Sequence, residues 1–210
     1  MSAKNLTFSK PLYAILDGKD VDFLRRLGLF ILQTPSLPVC ALQIRAKHLN
    51  AKDFAHLTQT LVEKHRELPH SPPLIVNDHL DIAREFDLNL HIGQNDCDFE
   101  KARSVLGEAA IIGVSTHNLQ QAQSAERAGA NYIGFGPLFP TASKENALSP
   151  REHEDLKNVL KNLSIPVVGI GGITPERWPE LRILGLKHFA MIQGLLNLGL
   201  DEFRYRDIAV

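Results

Sequence analysis

Polar and ionisable side chains recur at the ends of short apolar runs in this chain, and their types suit phosphate chemistry. The run "VCALQIRA" leads into Gln43, Arg45 and Lys47, three polar residues two apart, which an extended strand would place on one face. A bidentate guanidinium and a point-charge ammonium can share one diphosphate. "PLIVND" ends in Asn77 and Asp78, and "LNLHIGQND" supplies His91, Gln94 and Asp96. Two carboxylates suit Mg2+, a hard cation that keeps waters and takes further oxygens from phosphates. Each of these residues has a simpler account. Either aspartate could cap the helix that follows, Arg45 and Lys47 could make a rim salt bridge, and His91 could be a satisfied core histidine.

Three further stretches extend the pattern. "AIIGVSTH" ends in Ser115, Thr116 and His117. "GFGPLFPTASKENALSP", from Gly134 to Pro150, starts apolar and becomes a string of hydroxyls with Lys144. Gly134 and Gly136 relieve crowding, Pro137 and Pro140 stiffen the exit, and Thr141, Ser143 and Lys144 present donors, which reads as a loop that closes over phosphate. The alternative is a solvated loop with incidental hydroxyls. Gly171 and Gly172 ahead of Thr174, with the Ile192–Gln193 backbone, match the phosphate site that barrels often build after their last two strands.

The elements that must position these residues alternate regularly. Strands are predicted over 11–18, 39–46, 73–78, 88–94, 110–115, 131–137, 166–172 and 188–194. Helices are predicted over 20–33, 51–67, 79–86, 98–106, 118–129, 150–163 and 174–184, with one more after 195. Asn118 and Gly129 bracket one helix as cap and stop, and Thr174–Pro175–Glu176 reads as another helix start. Eight units in a row, with strands apolar at nearly every position, predict an α/β fold: a (β/α)8 TIM barrel of parallel strands, as one catalytic domain over residues 1–210. Catalytic groups of such a barrel stand at the C-terminal strand ends, where the polar residues above collect.

Charge and composition narrow the partners. Lys plus Arg at 23 against Asp plus Glu at 24 leave a formal charge of -1, so no global field recruits nucleic acid or an anionic membrane. Cys40 and Cys97 form no CxxC pair, and a disulfide framework is not expected. The N-terminus lacks the character of a signal or transit peptide, and no apolar run is long enough for a bilayer. A cytoplasmic protein with small-molecule ligands is the expectation; the oligomeric state is not set by these features.

The ordered series "QIRAK", "IVNDHLDIA", "HIGQND", "GVSTH", "YIGFGPLFPTASK" and "VVGIGGIT" resembles the thiamine phosphate synthase family over most of the chain, from about Leu12 to Leu196. The resemblance implies a transferase that joins hydroxymethylpyrimidine diphosphate to hydroxyethylthiazole phosphate, releasing pyrophosphate and leaving thiamine phosphate. It assigns Gln43 to the pyrimidine, places His91 near that pocket, and gives Arg45, Lys47, Asn77, Ser115 and Lys144 to the diphosphate. It implies Asp78 and Asp96 as Mg2+ ligands. Thr141, Ser143, Gly172, Ile192 and Gln193 fall on the thiazole phosphate side, and the catalytic set is Arg45, Lys47, Ser115 and Lys144.

The sequence departs from the family pattern at Ala46, where an acidic residue is usual, at Gln193, where serine is common, and at Leu16, where a hydroxyl is usual. Two other functions compete. A thiazole tautomerase-like paralogue would use His117 as acid-base group and would not need the diphosphate and metal residues. A non-catalytic regulator would bind a phosphorylated metabolite without turnover.

Overall fold

The computed structural model describes residues 8–141 and 149–197. Eight parallel strands close into a barrel in chain order: β1 (Leu12–Leu16), β2 (Val39–Ile44), β3 (Leu74–Asn77), β4 (Asn89–Ile92), β5 (Ile112–Thr116), β6 (Tyr132–Phe135), β7 (Val167–Gly169) and β8 (His188–Met191). β1 pairs with both β2 and β8, which completes the cylinder. Each strand falls at its predicted place in the chain, trimmed mostly at its ends.

The helices follow the same order: α1 (Val21–Gln33), α2 (Ala51–Glu67), α3 (Leu80–Phe86), α4 (Phe99–Leu106), α5 (Leu119–Ala128), α6 (His153–Asn162) and α7 (Trp178–Ile183). Their starts are set by side chains that satisfy otherwise orphaned N–H groups. Asp20, Asn50, Asp98 and Asn118 accept from Phe23, Asp53, Lys101 and Gln121. Gly129, at φ 94°, ends α5 as its sequence position predicts. Two predicted helices differ. Thr174 opens a 3-10 turn, Pro175–Arg177, before α7 begins at Trp178, and the chain after β8 starts as a 3-10 turn, Gln193–Asn197.

Apolar residues form two cores. The larger fills the shell between strands and helices, with Leu24, Leu57 and Leu61 among its most deeply buried members. The smaller lies inside the barrel and joins Phe8, Tyr13, Ile15, Ile75, Tyr132 and Val168. Phe8 sits edge-on to both tyrosines, with ring centroids 6.2 and 5.4 Å away, and so lies among the aromatic side chains of the barrel interior. Gly113 makes room for this packing, since a Cβ there would stand 2.0 Å from the Tyr132 ring.

Candidate active site

The strand ends surround a cavity of about 370 Å3. Gln43, His91, Ser115 and Gly134 line its inner part; Arg45, Lys47, Asn77, Asp78 and Asp96 form one side; Gly136, Pro137, Pro140, Thr141, Gly171, Gly172, Ile192 and Gln193 line the other. Of the residues singled out in the sequence, Ser143 and Lys144 lie outside the described residues. The rest of the binding and metal sets share this one cavity.

The route from β2 into the site differs from the single strand face expected. β2 ends at Ile44, and the N–H groups of Arg45 and Ala46 both donate to the Leu16 carbonyl, at 2.9 and 3.1 Å. This is bulge-like crowding of two residues opposite one, with Ala46 at φ 22°. Arg45 and Lys47 therefore leave from a turn, and they find different carboxylates. Arg45 pairs with Asp17 at the end of β1, both side chains nearly buried, while Lys47 Nζ lies 2.7 Å from Asp78 Oδ2.

The two carboxylates assigned to a metal are not helix caps. α3 starts after His79, whose side chain makes no capping bond, and α4 is capped by Asp98. Asp78 instead occupies the left-handed region at φ 65°, and its N–H donates to the His91 carbonyl at 2.9 Å. Asp96 accepts from the Gly93 N–H at 2.7 Å and comes within hydrogen-bonding reach of Asp78. Burial pushes the Asp78 carboxyl above its usual range; contact with Asp96 adds to this, and Lys47 opposes it. Among the described residues no group of three or more His, Cys, Asp or Glu gathers into a ligand set. Two adjacent carboxylates, Asp78 half-buried and Asp96 exposed, nonetheless fit Mg2+, which takes few protein ligands and completes its shell from water and phosphate.

His91 is buried and bonded at both ring nitrogens, Nδ1 to Tyr132 Oη and Nε2 to Ser115 Oγ, each at 2.9 Å. It is thus a satisfied buried histidine and also lines the cavity. His117 places Nδ1 2.6 Å from the Gly136 carbonyl; that partner only accepts, so Nδ1 carries a proton.

The glycine pair after β7 has both torsional and steric reasons. Gly171 and Gly172 adopt φ 95° and 60°. A Cβ on Gly171 would stand 2.5 Å from Pro137 Cβ, and one on Gly172 would stand 2.5 Å from the Pro140 carbonyl. The pair lets the exits of β6 and β7 pack together, and Arg177 fastens them by donating to the Gly172 carbonyl while stacking over Phe139. Gln193 opens the 3-10 turn instead of ending β8, and its side chain is exposed at the cavity rim.

Three residues escaped the sequence reading. Asp17 carried a usable signal, since it follows β1 as the other site residues follow their strands. Tyr13 and Tyr132 carried none, because a phenol in an apolar strand reads as core.

The profile of the family described as thiamine monophosphate synthase matches residues 12–195. The chain belongs to that family. Relatives of this thiamine monophosphate synthase family member include the thiamine-phosphate synthase of Alkaliphilus oremlandii, 35% identical over 92% of this chain and 91% of its own. That of Methanobrevibacter smithii is 38% identical over 76% and 75%. Among solved structures, the thiamine phosphate pyrophosphorylase from Pyrococcus furiosus is similar, with a TM-score of 0.70 and 28% identity over 88% of this chain and 86% of that one.

Proposed function

We propose that this chain is a thiamine phosphate synthase, a transferase that joins hydroxymethylpyrimidine diphosphate to hydroxyethylthiazole phosphate and releases pyrophosphate. The observation that carries this reading is the meeting of Arg45, Lys47, Asn77 and Ser115 with the Asp78–Asp96 pair at one cavity. A site for a monophosphate alone would have no use for two juxtaposed carboxylates, whereas a diphosphate bound with a divalent cation does. The same carboxylates favour the synthase over a tautomerase that works on thiazole phosphate alone.

The division of labour follows from charge. Breaking the carbon–oxygen bond sends negative charge onto the departing diphosphate, so fixed cationic donors there stabilise the transition state more than the ground state. Arg45, held by Asp17, offers its guanidinium from a fixed position, and Ser115 and Asn77 offer neutral donors beside it. Asp78 and Asp96 would hold Mg2+, which when bound supplies further positive charge to the diphosphate. Gln43 faces the pyrimidine, and Thr141, Gly172, Ile192 and Gln193 face the thiazole phosphate across the cavity; Ser143 and Lys144 are assigned by resemblance to the loop that closes it. The chain would act as one barrel domain over residues 1–210, in the cytoplasm, on small molecules, without nucleic acid or membrane. Among the described residues no helix is long and apolar enough to cross a membrane.

Incubation of the purified protein with both precursors and Mg2+ tests this directly. Thiamine phosphate and pyrophosphate are expected in equal amounts, and chelation of the metal should stop both. Consumption of thiazole phosphate without the pyrimidine would favour the tautomerase; binding of both without product would favour a regulator.

A further inference from the structure

Beneath the cavity a continuous line of hydrogen bonds crosses the barrel. Gln43 Nε2 lies 3.0 Å from Tyr13 Oη, Tyr13 Oη 2.6 Å from Tyr132 Oη, Tyr132 Oη 2.9 Å from His91 Nδ1, and His91 Nε2 2.9 Å from Ser115 Oγ. The five residues come from β2, β1, β6, β4 and β5, and only the two ends and His91 line the cavity. Burial holds both phenols well above their ordinary titration range, so each keeps its single proton.

Proton counting leaves a neutral imidazole two consistent orders along this line. In the first, Gln43 donates to Tyr13, Tyr13 to Tyr132, Tyr132 to His91 Nδ1, and His91 Nε2–H to Ser115, whose own proton is left for a ligand. In the second, every bond reverses: Ser115 donates inward and the Gln43 carbonyl accepts from Tyr13, turning its N–H groups to the cavity. A mixed order would leave one bond with two protons or with none, or would leave a buried phenol proton without an acceptor in the line, at a cost that a buried site strongly penalises. The structure has Gln43 Nε2 on Tyr13, as the first order requires. Its Oε1 is then left to the cavity that Gln43 lines.

We infer that this line is a directional relay: an acceptor-only anion oxygen bound at Ser115 fixes the sense of all four bonds, and so makes Gln43 present its carbonyl to the ligand ring and select a ring that offers an amine. This rests on the reading of the cavity as the pyrimidine diphosphate site and goes beyond it, because it couples the anion end of that site to the ring end through two residues that touch neither. Tyr13 and Tyr132 are positioning residues in this scheme. The ring recognised at Gln43 is one with a donor at that edge, such as an aminopyrimidine, and its competitor is the same ring without the amine.

Two measurements test the relay. With 15N-labelled histidine, the His91 ring in the pyrophosphate complex is expected to carry a single proton, on Nε2. The resonance is assigned by its loss in His91→Gln. A proton on Nδ1 overturns the proposal, and so does pyrophosphate that perturbs no resonance of the ring. Calorimetry then compares binding of the aminopyrimidine diphosphate with an analogue in which hydrogen replaces the amine. The parent should prefer the amine by about tenfold, the scale of one buried hydrogen bond, and Tyr13→Phe and Tyr132→Phe should each lose most of that preference. A preference retained in both variants overturns the relay; if the variants fail to fold, the tautomer of the parent still decides. A protein that shows the tautomer and the preference yet makes no thiamine phosphate would sink the catalytic reading and leave the relay standing.

Discussion

Lys47 Nζ stands 2.7 Å from Asp78 Oδ2, so a cation suited to phosphate and a carboxylate suited to metal are paired with each other. Asp96 reaches the same carboxylate, and burial together with this second carboxyl outweighs the ammonium, since the Asp78 carboxyl is shifted upward. In the proposed reading Asp78 and Asp96 would hold Mg2+, and the Lys47 ammonium would then be available to the diphosphate.

Asp78→Asn tests this balance. A carboxyl raised in the fold contributes stability that is full below its unfolded value of about 3.9 and is lost as pH rises through the raised folded value. The variant is permanently neutral, and asparagine tolerates the φ of 65° that alanine would resist. It is expected to melt at or above the parent near pH 7, about three units above that unfolded value, with the advantage vanishing toward pH 4. Turnover should fall by about 10²-fold or more. Scanning calorimetry across this range, beside the product assay, checks both; a large loss of melting temperature near neutrality would show that the Lys47 contact dominates.

Asp17 is expected to act through Arg45. The two side chains are only 8% and 13% exposed, and removing one member of a buried pair costs about 3–5 kcal/mol. Asp17→Ala should lower stability by that order and raise KM for the pyrimidine diphosphate, with Asp17→Asn intermediate because it keeps an accepting oxygen. Denaturant melts and steady-state kinetics separate the two effects. An unchanged KM in both variants would mean that Arg45 is aimed by its other contacts.

Much of this was legible in the sequence, for identifiable reasons. Parallel strands buried on both faces leave continuous apolar runs, and a barrel that works at one end leaves polar residues where those runs stop, so Asn77, Asp78, His91, Asp96 and Ser115 stood out. The split of Arg45 from Lys47 was not legible, because alternation along a strand gives no warning of two N–H groups sharing the Leu16 carbonyl. Nor was the tyrosine pair, since Tyr13 and Tyr132 lie 119 residues apart and meet only when the barrel closes. Helix capping misled in a useful way: Asp78 and Asp96 each precede a helix, yet neither caps one.

Gly113→Ala is expected to disturb the site without entering the cavity. Its Cβ would stand 2.0 Å from the Tyr132 ring and 2.5 Å from its hydroxyl, so the ring that bonds His91 must shift. Overpacking of this kind costs about 1–3 kcal/mol. Gly107→Ala is the control: its φ of 74° and ψ of 179° lie in a region essentially confined to glycine, but nothing lies within 4 Å of the added carbon, so only torsional strain of about 1–3 kcal/mol applies. Both variants should lose stability in denaturant melts, and only Gly113→Ala should also lose kcat/KM. Equal activity in the two would show that the position of Tyr132 is irrelevant to the site.

The last prediction concerns Lys144, three residues beyond Thr141. The chain before it is fastened to the end of β7: the Leu138 and Phe139 N–H groups donate to the Ile170 and Gly171 carbonyls at 2.8 and 3.0 Å, and Thr141 lines the cavity. Three residues span at most about 10 Å, so a lysine there is within reach of a ligand beside Thr141. A charge that meets the departing diphosphate more strongly than the bound one lowers the barrier without tightening the ground state. Lys144→Ala should therefore reduce kcat by about 10²–10³-fold, the scale of one lost oxyanion donor, with a smaller rise in KM for the pyrimidine diphosphate. Steady-state kinetics read both parameters while circular dichroism follows the fold. A weakened KM at constant kcat would mean that the lysine only recruits substrate, and its place in the catalytic set would be lost.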